Sequence, residues 1–301
     1  TTYAQDYNVS LLGNGGTITN AFAPVNTGTL TLGQAAGTQT YTGGLNTTSV
    51  GGTVTVNGTI NTTDTALTLG AVTLGAATTL DTNALTLAGD LTIGAVTGAT
   101  FDLTLDTGHF AGANISGTTV TNVGTLTLRD AGTATFTGAV NTNTAVAITD
   151  AVTLVDFQGA VTTPTLTVTG TATAYNVNST GTGGTITNAV TFANTGTLTL
   201  GQAAGTQTYN GGLTATANSG RTVLGTINSS DDVMTFGAIT LGAATTLDTN
   251  ATTLAGDLTI GAVTGATFDL TLDTGHFAGA DISGTPVTNV GTLTLRDAGT
   301  A

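Results

Sequence analysis

Short strings in which apolar and polar residues alternate recur along the whole chain. In "GTLTLG" (28–33), Leu30 and Leu32 point to one side of an extended backbone, while Thr29 and Thr31 point to the other. The strings "TITNA", "TVTVNG", "FDLTLD" and "TLTVTG" repeat this pattern, and Gly, Asn and Asp separate them, as tight turns require. The pattern predicts strands of about three to five residues joined by turns.

Strands this short need partners, and a parallel β-solenoid supplies them. Each coil bonds to the coils above and below it, and the inward Leu, Val, Ile and Phe side chains form one continuous core. An antiparallel sandwich would prefer longer strands and frequent hairpin pairs. Asn-Gly at 57–58 and 210–211 could serve as such pairs, but most junctions lack one. We therefore predict an all-β fold, a parallel β-solenoid with coils of about 18–24 residues. Four leucines of the two "GTLTLRD" strings are expected to face inward: Leu126, Leu128, Leu293 and Leu295.

The chain is also a long tandem repeat. Residues 75–134 match 242–301 at 57 of 60 positions, and the differences are Leu85 to Thr252, Asn114 to Asp281 and Thr119 to Pro286. We predict one continuous solenoid over 1–301, with a first long repeat at 1–168 and an incomplete second one at 169–301. Each long repeat would hold about seven to nine coils.

The position of the last residue within the repeat raises an expectation about assembly. Ala301 corresponds to Ala134, which lies inside the pattern of the first copy. An open solenoid end is a template for further strand pairing. We therefore expect either that the polypeptide continues with further copies or that separate chains stack end to end.

Composition supports strands and excludes several partners. The chain has 79 Thr and 44 Gly but no Lys, Glu, Cys or Trp, so strand-favouring residues replace the common helix formers. The net charge is -14, and three arginines at 129, 221 and 296 are too few and too scattered to bind nucleic acid. Apolar runs are too short for membrane insertion by a helix. The lack of cysteine excludes disulfide and thiol chemistry.

The tripeptide Asp-Thr-Gly, which carries the catalytic aspartate in each half of an aspartic protease, occurs at 106–108 and 273–275. Two catalytic carboxylates must lie about 3 Å apart. In a solenoid, equivalent positions of the two long repeats would be separated by about 35–45 Å. His109 and His276 also follow where the protease pattern has Ser or Thr. We interpret each tripeptide as a strand end followed by a turn.

The sequence evidence for other kinds of catalytic or metal site is weaker still. Asp102 and Asp106 would share a strand face at about 13 Å, too wide for the carboxylate pair of a glycosidase, and Asp269 and Asp273 repeat this spacing. His109 is interpreted as a solvent-facing turn residue. We predict no enzyme activity, no catalytic residue and no cofactor or metal site, with structural calcium at the Asp-Thr-Asn turns (81–83 and 248–250) as the alternative.

Ice binding is a further alternative, because Thr-x-Thr arrays on a flat solenoid face can provide such a surface. Thr-x-Thr occurs at 17–19, 29–31, 53–55, 125–127 and 185–187. An ice-binding face needs these threonines in strict register from coil to coil. The irregular sequence intervals lead us to expect no such register.

One local motif resembles a known family. "GTLTLGQAAGTQTYTGGL" (28–45) resembles the repeat of autotransporter passenger domains, and "GTLTLRDAGTATFTGAV" (124–140) is a looser version. In composition and rhythm the chain also resembles filamentous-haemagglutinin-like surface proteins of Gram-negative bacteria. The resemblance implies a right-handed β-helix exported to the cell surface, acting as a filament, stalk, matrix fibre or adhesin.

On this basis we expect a secreted, non-enzymatic structural rod on the surface of a bacterium. The alternative is an adhesin shaft whose binding tip lies outside this segment. Expected partners are further copies of the same rod, associating laterally or end to end, and host or neighbouring cell surfaces.

Overall fold

A computed structural model describes residues 2–301, apart from the Val152 side chain. The described residues form strands and turns but no helix, and the parallel strands stack as a β-solenoid of about 13 turns. No helix in this part of the chain could therefore cross a membrane. The all-β solenoid prediction is confirmed. The chain divides into two compact units, one at 1–155 and one at 156–301.

The strands of the first part of the chain are short, with a few longer ones. They are β1 (Val9–Leu11), β2 (Gly16–Ile18), β3 (Leu30–Leu32), β4 (Thr38–Tyr41), β5 (Leu45–Asn46), β6 (Val54–Asn61), β7 (Leu67–Leu69), β8 (Val72–Asp81), β9 (Leu91–Ile93), β10 (Val96–Thr97), β11 (Leu103–Asp106), β12 (Ile115–Gly117), β13 (Val120–Arg129), β14 (Ala131–Phe136), β15 (Val140–Ile148) and β16 (Ala151–Phe157).

The second part repeats this series. Its strands are β17 (Val161–Thr162), β18 (Thr165–Val168), β19 (Asn176–Ser179), β20 (Gly184–Ile186), β21 (Val190–Thr191), β22 (Thr197–Leu200), β23 (Thr206–Tyr209), β24 (Leu213–Ala215), β25 (Gly220–Asn228), β26 (Met234–Phe236), β27 (Ile239–Asp248), β28 (Leu258–Ile260), β29 (Val263–Thr264), β30 (Leu270–Asp273), β31 (Ile282–Gly284), β32 (Val287–Thr288) and β33 (Leu293–Arg296).

Within the first unit, the strands stack in three parallel columns. The first column runs β1-β3-β6-β8-β10-β13-β15, and the second runs β2-β4-β6-β8-β11-β13-β15. The third runs β5-β7-β9-β12-β14. Strands β6, β8, β13 and β15 belong to two columns because they bend through the corner between them. The predicted strand length of three to five residues is therefore wrong for these strands, of which β8 and β13 have 10 residues.

The second unit has the same three columns. They run β19-β22-β25-β27-β29-β32, β20-β23-β25-β27-β30-β33 and β21-β24-β26-β28-β31. The bend in β25 falls at Gly225, as the bend in β6 falls at Gly58. Both glycines have positive φ, and a Cβ on Gly58 would lie 2.3 Å from the Gln34 carbonyl oxygen. The corner therefore requires glycine at this point.

The register gives the length of each turn. Leu30 pairs with Val54, 24 positions later, and Val54 pairs with Val72, 18 positions later. Thr78 pairs with Leu103, 25 positions later. The predicted coil length of 18–24 residues therefore holds to within one residue for these pairs, and the turns between strands absorb the variation.

Inward side chains form apolar columns that build the core. The first strand column of the first unit buries Leu30, Val54, Val72, Val96, Val120 and Val140, and the third buries Leu45, Leu67, Leu91, Ile115 and Ala134. Leu126 and Leu128 are buried as predicted. Leu293 and Leu295 pair with the buried Leu270 and Leu272 and so lie on the inward face as predicted, although their side chains are 42% and 50% exposed. Strand β33 pairs with β30 and with no other strand of the described residues.

Threonine occupies the outward positions in register. One column of the first unit contains Thr31, Thr55, Thr73, Thr97 and Thr121, and another contains Thr38, Thr59, Thr79, Thr104 and Thr127. The second unit has Thr199, Thr222, Thr240, Thr264 and Thr288 in one such column. Single threonines thus stand in register because the loops take up the differences in length. The Thr-x-Thr triplets do not recur on every turn, as expected, because Ala71 and Ala95 stand two residues before Thr73 and Thr97.

A buried polar pair explains the "TQTY" string of the repeat. Gln39 donates to the main-chain carbonyl oxygens of Leu11 (2.6 Å) and Gly13 (3.2 Å). Its Oε1 accepts from the Gly33 amide and from the Tyr41 hydroxyl. This buried amide uses all of its hydrogen-bonding capacity, with two bonds to the preceding turn and two within its own turn, which makes it a structural element of the core.

Candidate functional site

The main concentration of charged side chains lies at one corner of each unit, at the C-terminal ends of the strands of the second column. We call it the polar corner. In the first unit it begins with a column in which Asn61, Asp81, Asp106 and Arg129 follow one another on successive turns. The second unit repeats the column as Asn228, Asp248, Asp273 and Arg296.

The Asp-Thr-Gly and Asp-Thr-Asn tripeptides form the turns of this corner. Asp106 Oδ1 accepts a hydrogen bond from the Gly108 amide at 2.9 Å, and Gly108 has φ +75°. Asp81 Oδ1 accepts from the Asn83 amide at 2.7 Å, and Asn83 has φ +44°. Each aspartate thus closes a turn onto its own backbone. The interpretation of Asp-Thr-Gly as a strand end and turn is confirmed.

The middle threonine of each tripeptide is buried and links neighbouring turns. Thr82 Oγ1 donates to the Thr107 carbonyl oxygen at 3.2 Å, and Thr107 Oγ1 donates to the Asp130 carbonyl oxygen at 2.9 Å. Both threonines are inaccessible to solvent. The tripeptide is therefore explained by turn geometry and by hydrogen bonding between turns.

An arginine and a histidine side chain lie beside the carboxylates of the polar corner. Arg129 Nε lies 3.6 Å from Asp106 Oδ2, and Arg129 Nη2 lies 3.8 Å from Asp130 Oδ2. His109 Nδ1 lies 2.9 Å from Asp130 Oδ1. Asp106 and Asp130 are buried, whereas the His109 side chain is 73% exposed. His109 is solvent-facing as predicted, but its ring also contacts a buried carboxylate.

Burial shifts the protonation of this corner. It raises the pKa of Asp81 to about 6, an effect that the Asn83 amide opposes and the nearby Asp106 carboxylate reinforces. Burial, followed by repulsion from Asp106, also raises the pKa of Asp130. In the second unit, burial also raises the pKa of Asp248. These carboxyl groups therefore keep their protons to a higher pH than exposed aspartates do.

A raised carboxyl pKa predicts an unusual pH dependence of stability. Folding favours protonated Asp81, so its contribution is fully present below the unfolded pKa of 3.8 and is lost as pH rises through about 6. We expect the melting temperature to fall between pH 5 and 7 in chelator-containing buffer, and the fall to be smaller in Asp81→Asn. Asp6→Asn, at an exposed position, is the control. An unchanged slope in Asp81→Asn would contradict the assignment.

The two units share one further feature of this corner. The Oδ1 atoms of Asn61 and Asn228 are buried and accept no hydrogen bond in the structure. Each amide stands one turn before a carboxyl group with a raised pKa, Asp81 or Asp248. A protonated carboxyl group is a donor, so protonation would bring a hydrogen-bond donor next to this unpaired acceptor.

The candidate residues of the sequence are thus partly brought together. Asp106 joins Asp81, Arg129 and Asp130 at the polar corner, whereas Asp102 accepts a hydrogen bond from the Thr125 amide at 2.7 Å. Asp130 carries no sequence motif and was missed. It follows Arg129 directly in a "RD" pair at the end of a strand, which is the only sequence feature that could have indicated it.

A cavity of about 320 Å³ lies elsewhere, among β1, β2 and β4. Its walls are formed by Ser10, Leu11, Leu12, Gly13, Gly16, Thr17, Ile18, Gln39, Thr40 and Tyr41. None of these residues is a carboxylate, imidazole or arginine, so they offer hydroxyl, amide and apolar contacts only.

Comparison of this chain with models of protein families, with curated proteins and with solved structures found no match. The class that the structure itself defines is a threonine-rich parallel β-solenoid with a duplicated polar corner.

Proposed function

We propose that this chain is a structural rod of a bacterial surface filament, stalk or matrix fibre, secreted and without enzymatic activity. The observation that carries the proposal is the unbroken stacking of parallel strands over apolar columns in each unit. Strand pairing follows the stacking direction, so a load along that direction is shared by ladders of hydrogen bonds. The resemblance of "GTLTLGQAAGTQTYTGGL" to autotransporter repeats supports the surface location.

Fibre diffraction of aligned native material tests this proposal. A rod of stacked turns is expected to give a meridional reflection at about 4.8 Å, the spacing of neighbouring strands along the fibre. Electron microscopy of the same material should show filaments. Globular particles without the meridional reflection would reject the rod.

Lateral association of rods is part of this proposal. We propose that the rods contact one another through an exposed leucine loop (84–88). Leu85 and Leu87 are largely exposed. The loop is held in place because Asp64 Oδ1 accepts hydrogen bonds from the amides of Leu85, Thr86 and Leu87. These bonds lower the pKa of Asp64 to about 2. The second unit carries Thr252 in place of Leu85.

Sedimentation velocity tests the role of the loop. Leu85→Thr, which copies the second unit, combined with Leu87→Thr should reduce the sedimentation coefficient of bundled material. Asn114→Asp, which also copies the second unit but lies elsewhere, is the control. Equal bundling of both variants would place the lateral contacts outside the loop.

An adhesin shaft is the second candidate, and the same architecture favours it. A shaft is expected to remain as isolated rods in electron micrographs, whereas a matrix fibre forms bundles. Binding of the purified chain to host or neighbouring cells would add an adhesive role to the shaft itself.

Ice binding is a third candidate because the outward threonines stand in register. One column presents one threonine hydroxyl and one methyl group per turn, from Thr31, Thr55, Thr73, Thr97 and Thr121. Thermal hysteresis of the purified chain is the test, and Thr73→Lys in the middle of this column should abolish any activity. Absence of hysteresis would exclude this function.

A further inference from the structure

Three successive turns bring one imidazole and two carboxylates together at the polar corner of the first unit. His109 lies in the turn after β11, Asp130 lies between β13 and β14, and Asp150 lies between β15 and β16. One ligand atom from each of the three side chains lies within 4.8 Å of the other two. The Asp130 amide also donates to the Asp150 carbonyl oxygen at 3.1 Å, which fixes the two backbones together.

We propose that His109 Nδ1, Asp130 and Asp150 bind one divalent transition-metal ion of the Zn²⁺ type. Ligands of one tetrahedral zinc ion, at bond lengths of about 2.0–2.2 Å, are separated by about 3.3 Å. His109 Nδ1 and Asp130 Oδ1 are already 2.9 Å apart, and the whole set needs only small side-chain movements to converge. The fourth position belongs to water.

The donor set selects the kind of metal. Calcium takes six to eight oxygen ligands, and this corner offers a nitrogen ligand and two carboxylates. An imidazole with carboxylates suits zinc and its neighbours in the first transition series. This site also differs from the Asp-Thr-Asn turns, whose aspartate Oδ1 atoms already accept hydrogen bonds from the Asn83 and Asn250 amides.

The negative charge around Asp130 is only partly compensated by the protein's own cationic groups. The carboxylate is buried and is repelled by Asp106 and Asp150. Arg129 reaches its Oδ2 only at 3.8 Å, and the Arg129 side chain is 52% exposed. A bound metal ion would compensate the two carboxylates at contact distance. Arg129 competes for the same charge, so its removal should tighten metal binding.

The second unit supplies a control within the same chain. His276 Nδ1 lies 3.3 Å from Asp297 Oδ1, as His109 lies beside Asp130. No third carboxylate or imidazole joins this pair among residues 2–301. Because the chain contains two histidines in all, each can be observed separately by NMR.

Titration of the intact chain with ZnCl₂ tests the proposal. Calorimetry is expected to show one tight site per chain, and the ring ¹⁵N signals of His109 should shift while those of His276 do not. His109→Gln and Asp150→Asn should each weaken binding at least about tenfold. His276→Gln should leave it unchanged, and Arg129→Gln should strengthen it.

Fold is checked by far-ultraviolet circular dichroism, and the exposure of His109 makes its replacement a mild change. Equal shifts of both histidines, or binding that His109→Gln and His276→Gln weaken equally, would overturn the proposal. Absence of saturable zinc binding to the intact chain would also overturn it. These results are independent of whether the chain forms fibres.

Discussion

Replacing Leu126 with Asp is expected to destabilise the solenoid by about 4 kcal/mol or more. Leu126 is completely buried, in register with Leu103 on the preceding turn and Val146 on the following one. A carboxyl group at this point would lose its hydration without gaining a partner, and it would interrupt the apolar column. Guanidinium denaturation followed by circular dichroism should show a large decrease in the unfolding midpoint.

The control is the same substitution at the next residue. Thr127 points outward, between Thr104 and Ala147 of the adjacent turns. Thr127→Asp is expected to change stability by about 1 kcal/mol or less, because the carboxylate stays in contact with water. Similar midpoints for the two variants would show that the assigned facing of β13 is wrong.

Replacing Arg221 with Met should cost about 2–4 kcal/mol. Its buried guanidinium donates to the carbonyl oxygens of Thr216, Asn218 (2.8 Å) and Ala238 (3.1 Å). Burial lowers the pKa of Arg221, but hydrogen bonds to three carbonyl groups hold the side chain in place. Met fills much of the space and leaves all three acceptors without this donor, so thermal melts should show a clear decrease in melting temperature.

Arg296→Met in the same unit is the control. The Arg296 side chain is 60% exposed and lies 3.5 Å from Asp273, a surface contact of small energetic value. A smaller effect of Arg221→Met than of Arg296→Met would mean that the buried guanidinium does not stabilise the corner.

The alternation of apolar and polar residues was sufficient to predict the fold. Strings such as "GTLTLRD" correctly assign Leu126 and Leu128 to the core, because a strand in a solenoid has one buried and one exposed face. The Asp-Thr-Gly turns could also be predicted, since Asp and Gly have well-defined roles in turns. Both inferences depend on neighbours in sequence.

What the sequence could not indicate depends on residues one turn away. Arg221 stands where the first unit has Val54, since each pairs with the equivalent leucine of the preceding turn. The segment from Leu213 to Arg221 is one residue shorter than that from Leu45 to Val54. A guanidinium bonds to the main-chain carbonyl groups of this shortened corner, which no local pattern predicts. Asp130 and Asp150 likewise meet His109 only because turns of different length bring them to the same corner.

The short sequence separation between paired residues has a consequence for folding kinetics. Leu30 and Val54 are 24 positions apart, and Val263 and Val287 are also 24 apart, although they belong to different units. The entropy of closing a loop depends on its own length, so every added turn costs about the same however long the chain becomes. Contacts of low sequence separation also favour rapid folding. A chain of this kind can therefore fold turn by turn as it is synthesised, without waiting for its distant end.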